Sequence, residues 1–439
     1  MAAWVEHAIL WHVYPLGFVG AEAARDAVPA GEVRHRFSHL NAWLDYVVEL
    51  GCSGLLLGPI FASGTHGYDT SDYYAIDPRL GDRADFDAFL VAAKQRGLRV
   101  ILDGVFNHVG RDFPEFRVAL EGGPDSPESA LFRFYWDHTN GRGEPAHHVF
   151  EGHDALVSLN HKSEAVMDLV TDVMCHWLEA GIDGWRLDAA YAVPNAFWAN
   201  VIGRVRARFP EAYILGEVLH GDYAQVVADA GFDAVTQYEL WKATWSAIND
   251  RNFHELAWAL ARHDEFLDTF VPQTFVGNHD VTRIASKITD PVHLPLAFVV
   301  LFTVGGTPSL YYGDEQAYAG TKSERIGGDD DVRPVMPSTP GELSRLGEPT
   351  YRLCRELIGL RRRNPWLHES RVQVNDVTNE SLTYVASSGP RSIRVVLNVA
   401  RAAYEVGCHP DERCIAGQAE IVGSVALVPP DSWAVLARD

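Results

Sequence analysis

The sequence predicts an α/β chain whose body is a closed (β/α)8 TIM barrel, with a domain inserted after the third strand and an antiparallel β-domain at the C-terminal end. Three observations lead there. Eight short apolar runs alternate with helix-like stretches over most of the chain, the order that builds a parallel sheet. One connection, residues 108–160, is far longer than the roughly two to six residues usual between neighbouring elements of such units. Beyond residue 370 the pattern changes to short β-rich runs. A chain of 439 residues can hold a large barrel and a smaller domain.

The elements follow in order. Residues 8–15 read as the first strand. The amphipathic stretch 40–50 leads to a second at 51–59, and 85–96 to a third at 99–107. Residues 163–180 form a long helical pattern before the fourth strand, 184–190. The remaining strands are predicted at 213–218, 234–240, 275–280 and 309–315. Eight strands alternating with helices favour closure over an open sheet. The barrel therefore takes residues 1–107 and 161–365, the insert 108–160 and the β-domain 366–439. The insert is rich in Gly, Pro, His and aromatics and is expected to overhang the barrel mouth. Its Tyr135 and Trp136 suit either sugar platforms or the insert's own core. A second long polar loop, 317–349, follows the last barrel strand and includes Gly327-Gly328-Asp329-Asp330-Asp331. After a helix at 351–363, β-runs are expected at 381–386, 392–397, 419–427 and 433–436.

Charge and cysteine usage exclude whole classes of function. A net charge of −22 would be repelled by nucleic acid phosphates, while a neutral sugar is indifferent to it. No run reaches the roughly 18 apolar residues of a membrane span. The N-terminus shows no basic segment followed by a long apolar core, so no signal peptide is expected. The five cysteines, Cys52, Cys175, Cys354, Cys408 and Cys414, are scattered and form no Cys-x-x-Cys. They fit a reducing cytoplasm.

Three acidic residues stand at the C-terminal ends of three apolar runs. Asp188 closes Gly-Ile-Asp-Gly-Trp-Arg-Leu-Asp, Glu217 follows Ile-Leu-Gly, and Asp280 closes Phe-Val-Gly-Asn-His-Asp. A parallel barrel presents its chemistry at that end. Carboxylates converging there suit glycoside cleavage, which needs a nucleophile and an acid on either side of one bond.

The ordered set of motifs resembles the alpha-amylase family of glycoside hydrolases (glycoside hydrolase family 13). The blocks are Gly54-Leu-Leu-Leu-Gly-Pro59-Ile, Asp103-Gly-Val-Phe-Asn107-His108, Gly184-Trp-Arg186-Leu-Asp188, Gly-Glu217-Val, Asn278-His279-Asp280 and Gly306-Thr-Pro308-Ser-Leu-Tyr-Tyr312-Gly-Asp-Glu315. The resemblance implies a barrel with an inserted B domain and a C-terminal β-domain. It implies that Asp188 is the nucleophile and that Glu217 is the acid/base, which has to carry a proton at the outset. Asp280 then holds sugar hydroxyls and stabilises the cationic transition state. Arg186 orients Asp188, and Asp103 props Arg186. His108 and His279 bond the same sugar ring, and Tyr68 stacks on it. Asp69 and Arg333 match a pair that closes the pocket in exo-acting relatives; a plain surface ion pair is the alternative.

Within the family, the strand-four block, Glu217-Val-Leu-His220 and Leu156-Val-Ser-Leu-Asn160 resemble the neopullulanase and cyclomaltodextrinase group. That group usually carries an additional N-terminal β-domain; here the first strand begins near residue 8, so none is expected. The implied activity is retaining hydrolysis of α-1,4 and/or α-1,6 bonds in malto-oligosaccharides and cyclic or branched α-glucans. The alternative is an exo-acting α-glucosidase or a glucosyl-transferring or isomerising enzyme on short glucosides. Relatives that have lost catalysis lack one of the three carboxylates, and all three are present here. No cofactor is expected to be required. Asn107 matches a calcium ligand of many members, but no Asp-x-Asp-x-Asn type loop accompanies it, and no metal ligand is assigned. The expected partner is an oligosaccharide, with the chain a monomer or a homodimer.

Overall fold

The eight apolar runs become short parallel strands because each is buried on both faces, which favours β-branched and leucine side chains in near-continuous runs. In the computed structural model, which describes residues 3–325 and 327–438, they are β1 (Leu10–Val13), β2 (Gly54–Leu57), β3 (Arg99–Gly104), β4 (Gly184–Leu187), β5 (Tyr213–Gly216), β6 (Ala234–Val235), β7 (Gln273–Phe275) and β8 (Thr307–Tyr311). All neighbours pair in parallel, in the order β6-β5-β4-β3-β2-β1-β8-β7. A parallel bridge between Thr236 and Gln273 joins the two outer strands and closes the barrel.

The surrounding helices begin and end for local reasons. Asp82 and Asp85 form a reciprocal capping box at the start of helix Arg83–Gln95. Helix Glu164–Ala180 stops at Gly181, whose φ of +111° suits only glycine, and a Cβ there would meet Lys94 Nζ at 2.4 Å.

Several predicted elements are shorter or broken. The stretch 40–50 is two helices, Phe37–Asn41 and Leu44–Leu50. They break at Trp43, whose ring is buried against Trp11 and whose Nε1 donates to Pro337 O at 3.1 Å. The sixth strand ends at Val235 because Gln237 turns to cap helix Tyr238–Asn249, accepting from Leu240 N at 3.3 Å. The seventh ends at Phe275, so Asn278, His279 and Asp280 sit on the loop beyond it. Between β2 and the next helix lies an unpredicted hairpin, Phe61–Ser63 with Thr70–Ile76.

Residues 108–160 form a three-stranded antiparallel sheet (His108–Gly110, His153–Ser158, Val149–Phe150), a hairpin (Phe134–Thr139 with Pro145–His147) and helix Pro114–Gly122. The chain's end forms a five-stranded and a three-stranded antiparallel sheet between Arg371 and Arg438. The predicted run 419–427 is a hairpin, Glu420–Val422 with Val425–Val428, turning at Gly423 with φ +62°. One hydrophobic core runs from the barrel into the five-stranded sheet, so Leu382, Tyr384 and Val435 pack with the barrel's outer layer.

Candidate active site

The C-terminal ends of the strands open into a pocket of about 510 Å3, lined by Tyr68, His108, Asp188, Glu217, Asp280 and Arg333 among others. Arg186 and His279 lie beneath it, around a small recess they share with His12 and Glu217.

Arg186 organises the floor. It points inward from β4, two residues before Asp188, so both side chains leave the same face of the strand. Its Nη1 donates to both oxygens of Asp103 at 2.6 Å and to Asp188 Oδ1 at 3.3 Å, while Nη2 meets Glu217 Oε1 at 2.6 Å. Burial disfavours a charged guanidinium, but the three carboxylates outweigh it and hold Arg186 firmly protonated. Asp188 is pushed well above the usual carboxylate range by burial, with Glu217 adding to the shift and Arg186 opposing it. Two carboxylates in one dry site resist ionising together.

Glu217 is fixed on its other side by the backbone. Ala189 N donates to Oε2 at 3.0 Å, and the Tyr238 hydroxyl to Oε1 at 3.2 Å. Burial lifts the Tyr238 phenol well above its ordinary value, so it stays a donor. Asn278 Nδ2 in turn donates to Tyr238 at 2.9 Å.

Asp280 has different surroundings. Burial works to raise its carboxyl, but His279 and Arg333 override that and hold it well below the usual range. His279 Nε2 stands 2.9 Å from Oδ2 and Arg333 Nη2 3.0 Å from Oδ1. The His279 ring lies within 4° of parallel to the rings of Tyr14 and Tyr68, at centroid distances of 5.9 and 5.4 Å, and His12 meets its edge. The Tyr68 hydroxyl contacts His279 and donates to Asp103 at 3.1 Å. His108 is kept neutral, its pKa lowered to about 3 by burial, and stacks on Phe150 at 4.7 Å.

Sequence reasoning missed His12, Tyr14, Tyr238, Phe150 and Glu151. His12 and Tyr14 do sit at the C-terminal end of β1, where position alone marks them. Tyr238 follows a two-residue strand and carries no motif. Tyr135 and Trp136 do not line the pocket; Trp136 packs on Phe134 at 4.5 Å, and Phe150 and Glu151 face the site instead.

The pairing of Asp69 with Arg333 is not formed. Asp69 accepts from Thr65 N at 3.1 Å and Thr65 Oγ1 at 2.9 Å, and lines a separate cavity of about 850 Å3. Arg333 pairs with Asp329 at 3.0 Å as well as with Asp280. The acidic segment 327–331 thus supplies the charge at this wall.

The residues around Asn107 do not fit calcium. Asn107 lines a cavity with Arg133, His161 and Lys162, where Glu151 is the acidic member, whereas calcium takes about six to eight oxygen ligands. Elsewhere among the described residues, His35, Asp82 and Asp85 come within ligand reach of one another, but the two aspartates already cap a helix. All five cysteines are free, so Cys408 and Cys414 form no disulfide. Among the described residues, no helix is long and apolar enough to cross a membrane.

Known proteins resemble this chain in sequence and in fold. A maltogenic alpha-amylase of Bacillus acidopullulyticus is 30% identical over 427 residues, covering 92% of this chain and 71% of that protein. A cyclomaltodextrinase of Geobacillus thermopakistaniensis is 29% identical over 435 residues, covering 93% and 72%. The crystal structure of a Nostoc punctiforme debranching enzyme superposes with a TM-score of 0.84 at 26% identity, covering 100% of this chain and 99% of that one. The profile of the alpha-amylase catalytic domain matches residues 38–346. With that match, the chain belongs to the alpha-amylase family of glycosidases.

Proposed function

We propose that the protein is a retaining glycoside hydrolase that cleaves α-1,4 and/or α-1,6 bonds in malto-oligosaccharides and cyclic or branched α-glucans. The observation that carries this is the shared grip of Arg186 on Asp188, through Nη1, and on Glu217, through Nη2. That grip keeps the two carboxylates close, as the ~5 Å separation of a retaining pair demands.

The chemistry then runs in two displacements. Asp188 attacks the anomeric carbon as Glu217 gives its proton to the departing glycosidic oxygen. Glu217, now a base, takes a proton from water, which attacks the same carbon and releases Asp188. Asp280, ionised throughout, faces the developing positive charge, and His108 and His279 bond the ring hydroxyls. The similarity to a cyclomaltodextrinase and a maltogenic alpha-amylase supports α-glucans as the substrate class. The unformed Asp69–Arg333 pair favours a semi-open cleft over a pocket that admits single chain ends. The free thiols support a cytoplasmic location.

Proton NMR of the first product tests the mechanism. Net retention releases the α-anomer; initial β-anomer would mean direct attack by water and would remove the nucleophile role from Asp188.

A further inference from the structure

Behind Phe150 and Glu151 lies the cavity of about 330 Å3 that Asn107 borders. Its floor includes Asn107 and Ser158, which are 4% and 7% exposed. Ser158 lines the cavity, and its hydroxyl has no hydrogen-bond partner among the described residues. Two cations stand at the rim, Arg133 and Lys162. Among the described residues neither pairs with a carboxylate, although the chain carries 59 acidic residues against 37 basic ones. Arg133 instead meets the His148 ring, 2.9 Å from Nδ1. The carboxylate of Glu151 is engaged by the Tyr191 hydroxyl at 2.9 Å. Two long helices also start here: Glu164–Ala180 just after Lys162, and Asn195–Arg208 just after Pro194, which lines the cavity. Helix N-termini present positive potential and unpaired N–H groups.

We propose that this cavity is a binding site for a tetrahedral oxyanion of the phosphate type, held by Arg133, Lys162 and the Ser158 hydroxyl between the two helix starts. The chemistry that makes it a poor calcium site makes it a good anion site. It lies outside the reaction centre, and the assignment is independent of which glucan is cleaved. Phe150 and Glu151 form walls of both cavities. An occupant therefore braces the segment that stacks on His108. The oxyanion is either free inorganic phosphate or the phosphate of a sugar whose other end reaches the catalytic pocket.

Calorimetric titration of the full chain with inorganic phosphate at constant ionic strength tests the site. Single-site binding and a raised Tm are expected. Both should weaken at least tenfold in the Arg133→Gln/Lys162→Gln double variant, whose activity in phosphate-free buffer should match the parent. Ser158→Ala, a smaller change, should weaken binding without disturbing the fold. Glucose 6-phosphate separates the sources: competition with maltotriose hydrolysis that is lost in the double variant marks a phosphorylated sugar, and non-competitive phosphate binding marks the free ion. The proposal is overturned if phosphate gives neither heat nor a Tm shift, if the double variant binds equally well, or if calcium chloride stabilises the protein and phosphate does not.

Discussion

Asp69 accepts two hydrogen bonds from Thr65, one from its backbone N–H and one from its hydroxyl, closing the turn that carries His66 and Tyr68. Gly67 sits in that turn at φ +91°, and the Tyr14 hydroxyl holds the His66 carbonyl at 2.6 Å. Asp69 is thus a positioning residue for the ring that stacks on His279. Asp69→Ala should lower kcat/KM about tenfold, on the scale of a misplaced binding group, while leaving product lengths unchanged. Asp69→Asn, which keeps an acceptor, should recover part of the loss. Longer products from Asp69→Ala would restore the pocket-wall role.

Asp188 and Glu217 separate by substrate. Asp188→Ala should nearly abolish turnover on every glucan. Glu217→Gln should cost roughly 10²–10⁴-fold on maltotriose but much less on an aryl glucoside, whose leaving group needs little protonation. Equal losses on the two substrates would contradict the acid role.

The raised Asp188 carboxyl has consequences for both rate and stability. A nucleophilic Asp188 would act in its ionised form, so the acid limb of kcat/KM against pH should lie above the usual carboxylate range near pH 4. The folded state holds this proton more tightly than the unfolded chain does. Its stabilising contribution is complete below the unfolded value and lost as pH rises through the folded one. Asp188→Asn should therefore raise stability at neutral pH by roughly 1 kcal/mol, with the gain shrinking in acid. Urea unfolding at pH 4 and pH 7.5 would show it.

Glu315 tests the same linkage away from the reaction. Burial raises its carboxyl to about 7, although Gly313 N and the Tyr46 hydroxyl both bond it. Its contribution is present in acid and lost as pH climbs through about 7, a change of about 3 kcal/mol. The parent should lose stability between pH 5 and pH 8, and Glu315→Gln should flatten that slope.

The gathering of the candidate site residues was legible because they stand at strand ends inside motifs, where period and position agree. Asp188, Glu217, Asp280, Arg186, His108, His279 and Tyr68 all gather at one mouth. The illegible parts depend on side chains meeting across long sequence gaps. Nothing local says that Trp43 will interrupt a helix to lie on Trp11, or that Tyr238 will reach Glu217. Arg333 has several acidic candidates in sequence, and only the folded loop selects Asp329 over Asp69.

The barrel's seam, finally, ties two properties together. Between β6 and β7 the backbone closes through the bridge from Thr236 to Gln273. At the rim above it, Asn278 from one side bonds Tyr238 from the other, and the same phenol oxygen supports Glu217. The cylinder is thinnest where Glu217 is anchored. A fluctuation that parts these two staves would disarm the enzyme well before it unfolded it, so heat should extinguish turnover at a lower temperature than it melts the helices.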